Sequence, residues 1–187
     1  MNFPVTSDKL SGLIRSYKDN GYPLVELLPS SATEGNPIKG VFTYNDANDH
    51  WCSTAAQGLN DNLVINVGIP FYITHYSIRS HPSTNHYIQA WTFEGSDDNK
   101  EYEMLHRQPI CDTLKSSGIG QYKINNTKKG FRYFRIKQTV ATISGSTSMR
   151  ISGLDLYGSF VPCVRQTCSC KRALNYRISL IIVQVSH

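Results

Sequence analysis

Residues 132–158 read RYFRIKQTVATISGSTSMRISGLDLYG. Both flanks of this stretch alternate in polarity. Tyr133, Arg135 and Lys137 fall on one face of an extended chain, and Phe134 and Ile136 on the other. Ile151 and Gly153, followed by Leu154, Leu156 and Gly158, set a second alternation whose phase shifts near Gly153. A glycine inside a strand pattern marks a bulge, which accommodates such a shift. Residues 144–148 between the flanks are turn chemistry, serine, glycine and threonine. Arg132 and Arg135 differ in phase, so one of them faces inward and is expected to pair with an acid. The stretch therefore predicts the two closing strands of a β-sandwich.

Working outward, the same period-two reading predicts strands over 38–44, 63–67, 72–80, 87–94, 101–106 and 121–124. Polar or glycine-rich turns separate them; Gly68, Ile69 and Pro70 form one such turn. About eight short strands at regular spacing argue for an all-β, antiparallel β-sandwich. Residues 1–36 read as an N-terminal extension and linker. Leu10, Leu13, Ile14 and Tyr17 recur at helical spacing, which predicts a short helix over 7–18 with Ser7 as its cap. Residues 22–28 are either a short strand or an extended arm. Residues 161–187 form a basic, cysteine-containing tail, within which 176–185 is β-prone. The organisation expected is thus an extension (1–36), a folded unit (37–160) and a tail (161–187).

The formal net charge of the 187-residue chain is +5. Arg165, Lys171, Arg172 and Arg177 lie in the tail, which holds no acid, so the first 160 residues carry 15 basic against 14 acidic side chains. A near-neutral body gives no nucleic-acid footprint. Of the five cysteines, Cys52 and Cys111 lie in the body, and Cys163, Cys168 and Cys170 crowd the tail. The first ten residues hold no apolar core of signal-peptide length, so reduced thiols and a cytoplasmic location are expected. The tail cysteines have no well-spaced fourth ligand for a metal.

Catalytic motifs are missing. There is no G-x-S-x-G, H-E-x-x-H or P-loop pattern. Cys52 and His50 are two residues apart, which does not make an oriented dyad. No enzyme and no organic cofactor are expected. His81 and His86 bracket one short loop, where they could face each other across its mouth. Asp46, Asn48 and Asp49 supply hard oxygen ligands of the kind calcium takes, and equally the makings of an Asx-rich turn.

The strand pattern carries a resemblance. FRYFRIKQT (131–139) followed by SGLDLYG (152–158) resembles the C-terminal signature of discoidin, or F5/8 type C, domains. YSIRS (76–80), AWTFEGSDD (90–98), residues 101–105 and Cys111-Asp112 continue the likeness in order. The branch resembled is the intracellular one, found in HECT-type ubiquitin ligases, BTB proteins and protist proteins. The resemblance implies a galactose-binding-like jelly-roll over 37–160 and ligand contacts on loops at one end of the sandwich. Those loops map onto 45–53, 81–86 and 112–117. The candidate ligand-binding residues are His50, Trp51, Arg79, His81, Asn85, His86 and Asp112; Asp46, Asn48 and Asp49 are the candidate calcium ligands. Two readings stand for Trp51, a ligand contact or a core residue between the sheets. The implied function is a non-catalytic module that recognises a protein or peptide, with carbohydrate binding through the same loops as the alternative. Membrane binding is not expected, because these loops carry no pair of large apolar side chains.

Overall fold

The structure is a computed structural model and describes residues 1–20, 25–35, 37–44, 46–125 and 129–160. The tail, with its three cysteines and its β-prone segment, lies outside the described residues. Among the described residues nine strands form two antiparallel layers. One layer contains β1 (Asn2–Phe3), β3 (Trp51–Cys52), β9 (Arg150–Ser159), the second half of β4 (Asn62–Ser80) and β7 (Ile119–Lys123). The other contains β2 (Glu26–Pro29), the first half of β4, β8 (Phe131–Gln138), β5 (Trp91–Ser96) and β6 (Glu103–Gln108). The expected all-β antiparallel sandwich is the architecture found.

Strand β4 joins the layers. The turn expected at Gly68–Pro70 is instead a bend within one 19-residue strand. Its pairing with β8 slips between Asn66 and Phe71, and Gly68 takes a left-handed φ of 76°. Beyond the bend the chain pairs with β9, and a second slip lies between Ile73 and His75. The buried positions record that slip: Leu63, Ile65, Val67, Phe71 and Ile73 are odd-numbered, whereas Tyr76 and Ile78 are even. One inserted residue flips every later side chain to the other face. The bulge expected near Gly153 is present, since Arg79 faces Gly153 and Ser80 faces Ile151, which makes Ser152 the extra residue of β9 in the register.

Aromatic rings fill the space between the layers. Tyr76 stacks on Phe93 at 4.1 Å, and Phe93 lies nearly parallel to Phe134 at 5.7 Å. Trp91 donates its indole N–H to the Tyr76 hydroxyl (2.8 Å), which shares a second hydrogen bond with His106 Nδ1 (2.7 Å). Burying large rings supplies most of the driving force, and the chained hydrogen bonds leave their polar ends satisfied. Arg135 pairs with Glu94 at 2.6 Å on the outer face of β8, in phase with Tyr133 and Lys137 and opposite to the buried Phe134 and Ile136, so the arginine that meets an acid does not face inward; Arg132 is exposed.

Two local expectations are corrected. Residues 38–44 do not form a strand: Ile38–Phe42 is a 3-10 helix. A Cβ at Gly40 would sit within 2.6–2.7 Å of the His50 backbone, so glycine lets this turn press against the chain before β3. The helix expected over 7–18 runs over Leu13–Asn20 (α1), and Ser7 does not cap it. Asp155 of β9 accepts hydrogen bonds from the N–H groups of Gly12 (2.6 Å) and Ile14 (2.8 Å) instead. Phe3, Leu10, Leu13, Ile14 and Tyr17 enter the main core, so the first twenty residues pack as part of the folded body.

Candidate functional site

Loops gather at the end of the sandwich where β4 finishes and β3 and β9 begin. They are 43–50, 81–90, 109–118 and 139–149. Backbone hydrogen bonds tie three of them together, with Ser116 N–H donating to the Ser83 carbonyl and Ser144 N–H to the Asn85 carbonyl, both at 3.1 Å. The hydroxyl of Ser144 is 2.7 Å from His86 Nδ1. The fourth loop is held by Arg79, whose guanidinium donates to the carbonyls of Tyr44 (2.8 Å), Asp46 (3.3 Å) and Ser152 (2.9 Å).

His50 and His81 meet at the centre of this end, with ring centroids 4.2 Å apart and planes inclined by 55°. His50 Nδ1 lies 2.7 Å from the Asn48 carbonyl, an acceptor, so Nδ1 carries the proton and Nε2 is free to accept. Burial and Arg150 lower the pKa of His50 against the pull of the Asn48 carbonyl. Burial, then His50, Arg150 and His86, lower that of His81 to about 4. Both rings are therefore neutral at pH 7. His81 Nδ1 and Arg150 Nε are buried with no hydrogen-bond partner among the described residues. A cavity of about 460 Å³ opens beside His50, and its walls include Lys39, Thr43, Asn48 and Asp49.

The structure sorts the residues expected from sequence. His50, His81, His86 and Asn85 are brought together at the loop end. Trp51 is wholly buried and donates its indole N–H to the Ser31 carbonyl at 2.8 Å, so its core reading is the one observed. Arg79 is 7% exposed with its donors committed inside the fold, which corrects its assignment as a ligand contact. Asp112 is exposed, and its carboxylate accepts the Tyr87 hydroxyl. For Asp46, Asn48 and Asp49, the Asx-turn alternative is the one whose hydrogen bonds are present. Asp46 Oδ1 accepts both the N–H (2.8 Å) and the side-chain amide (2.9 Å) of Asn48, which is an Asx turn. Among the described residues no three His, Cys, Asp or Glu side chains converge as a metal site. Arg150 and Ser144 were not singled out from sequence; Arg150 sits beside a predicted strand start and Ser144 in the 144–148 turn, where only the folded loop shows their neighbours.

The end as built offers neutral imidazoles, a guanidinium, hydroxyls and amides. It is suited to hydrogen-bonding a polar, hydroxyl-rich ligand. No aromatic face is exposed on the described loops, since Tyr44 and Tyr87 are buried.

Solved structures share this architecture. A CBM32 module from Clostridium perfringens, in complex with GalNAc-β-1,3-galactose, superposes with a TM-score of 0.60 at 13% identity, covering 72% of this chain and 95% of that one. The fold is a galactose-binding-like β-sandwich. The family 32 carbohydrate-binding module of C. perfringens NanJ, in complex with galactose, gives a TM-score of 0.58 at 12% identity and covers 71% and 93% of the two chains. The CBM32 of AlyQ, in complex with 4,5-unsaturated mannuronic acid, gives 0.58 at 12% identity, covering 72% and 95%. No protein-family model matches the sequence, and no curated protein does.

Proposed function

We propose that this chain is a non-catalytic carbohydrate-binding module that takes its ligand at the His50–His81 end. One observation carries the reading: the hydrogen-bonding loop end belongs to a fold that it shares with modules solved in complex with sugars. The order of the two functions expected from sequence is thereby reversed. The glycan moves ahead of the protein or peptide partner, in whose favour no contact surface on the described residues speaks.

The test is a titration of the full chain with galactose and GalNAc-β-1,3-galactose, followed by amide chemical shifts. Saturable shifts confined to 46–50, 81–86 and 142–150, lost in His50→Ala/His81→Ala that stays folded, support the reading. Shifts that stay linear, or that localise to the far end around 97–102, would sink it.

A further inference from the structure

We propose that the sugar recognised at this end carries a negative charge, a carboxylate or a sulfate ester, bound by Arg150 with His50, His81 and His86 around it. This inference rests on the glycan-binding reading and narrows it. Arg150 opens β9 opposite Cys52, and its carbonyl accepts the Ser80 hydroxyl at 2.9 Å, so it stands between the strand ends that carry His50 and His81. Arg150 brings the positive charge, and the imidazoles bring hydrogen-bonding nitrogens. Acids do not balance this charge. Asp49 is the one carboxylate that acts on His50. Asp46 is turned into its own Asx turn and Asp112 into the Tyr87 hydroxyl. Lys39 adds a further cation on the wall of the cavity beside His50.

The unpartnered nitrogens give this imbalance a direction. Leaving a buried donor of a charged group without an acceptor costs free energy, so a built site supplies the acceptor from its ligand. A guanidinium presents its N–H groups in a planar fork that matches the paired oxygens of a carboxylate or sulfate. A neutral hydroxyl satisfies one donor and leaves the charge unmatched. The adjoining histidine rings lie within reach of the same field, and an arriving anion favours their protonated forms, which adds donors as the ligand binds.

The test measures the affinity of the full chain by calorimetry for three probes: methyl β-galactopyranoside, the corresponding C6 uronate, and the 6-O-sulfate. At least tenfold tighter binding of the uronate or the sulfate is expected, and which one gains identifies the source of the charge. Raising NaCl from 50 to 500 mM should weaken the charged probes severalfold more than the neutral one. Arg150→Gln, with its fold checked by thermal unfolding, should bring charged and neutral affinities within about twofold of each other. His86→Gln, at a more accessible position, should reduce the preference in the same direction. Neutral probe bound as tightly as the charged ones would overturn the inference and leave the glycan reading standing. No measurable binding of any of the three would overturn both.

Discussion

Asp155 stands inside the fold and completes a helix 141 residues before it in the chain. Its oxygens accept N–H groups from Gly12, Ile14 and Leu156, and these pull its pKa down while burial pushes it up, to about 7 in balance. Asp155→Ala leaves those donors unsatisfied in a buried site and is expected to cost about 3 kcal/mol or more, read from urea unfolding midpoints. A loss under about 1 kcal/mol would mean the cap is not used. Asp155 and His81 also set opposite pH slopes. The Asp155 carboxyl holds its proton more tightly folded (about 7) than unfolded, so its contribution to stability falls as pH rises from about 4 to 7. His81 holds its proton less tightly folded (about 4) than unfolded, so its contribution falls as pH drops from about 6.5 to 4. Relative to wild type, His81→Gln should therefore gain stability toward pH 4.5, and Asp155→Asn should gain it toward pH 7; stability curves across pH 4–8 check both. Gly158 adopts φ 151°, and a side chain there would collide with the Tyr72 carbonyl, so Gly158→Ala should cost more than about 1 kcal/mol. Legibility at this scale was uneven. The alternation of β8 was readable from phase alone, because alternation is a local property, but the arginine that pairs with an acid proved to be the outer one, Arg135. Asp155 as a cap was not, because nothing near residue 12 in sequence points to residue 155.

At the scale of elements, strand existence was readable and strand connection was not. The apolar runs 63–67 and 72–80 were both recognised, yet the Gly68-Ile69-Pro70 segment that looks like a break keeps them one strand. Glycine and proline punctuate a chain, but an outer bend between two layers uses the same residues as a turn. The 3-10 helix at Ile38–Phe42 was missed for a related reason: its alternation mimics a strand, and only the approach of Gly40 to His50 shows why the backbone must coil. The helix α1 was found by its period, though its start was placed early because the expected cap was local. A consequence belongs to this scale. Phe3, Leu10, Leu13, Ile14 and Tyr17 are each at most 7% exposed. Burying five such side chains contributes roughly 10 kcal/mol before entropy is counted, comparable to the whole stability of a typical domain. A chain lacking residues 1–20 is expected to lose cooperative unfolding and near-ultraviolet circular dichroism. Sharp, dispersed amide resonances from that truncation would show that the segment is dispensable.

For the molecule as a whole, the loop end was legible as a place and not as a chemistry. Two of the three histidines expected there, His50 and His81, meet ring to ring, and the third, His86, is held by Ser144, which lies in a stretch that reads as plain turn. The fold also bounds how tightly such a site holds a neutral sugar. With no exposed ring to stack on, four or five hydrogen bonds at about 1 kcal/mol each give a dissociation constant of about 1 mM. Calorimetry with methyl β-galactopyranoside measures this directly; a constant below about 10 μM would imply contacts that the described loops do not have. One further property follows from the way the first and last described strands meet. Phe160 N–H donates to the Met1 carbonyl at 3.2 Å, and β1 lies against the final residues of β9, at the end of the sandwich away from the histidines. A tag or sensor surface attached through residue 1 would therefore hold the molecule like a handle, with its recognition loops turned outward and unobstructed.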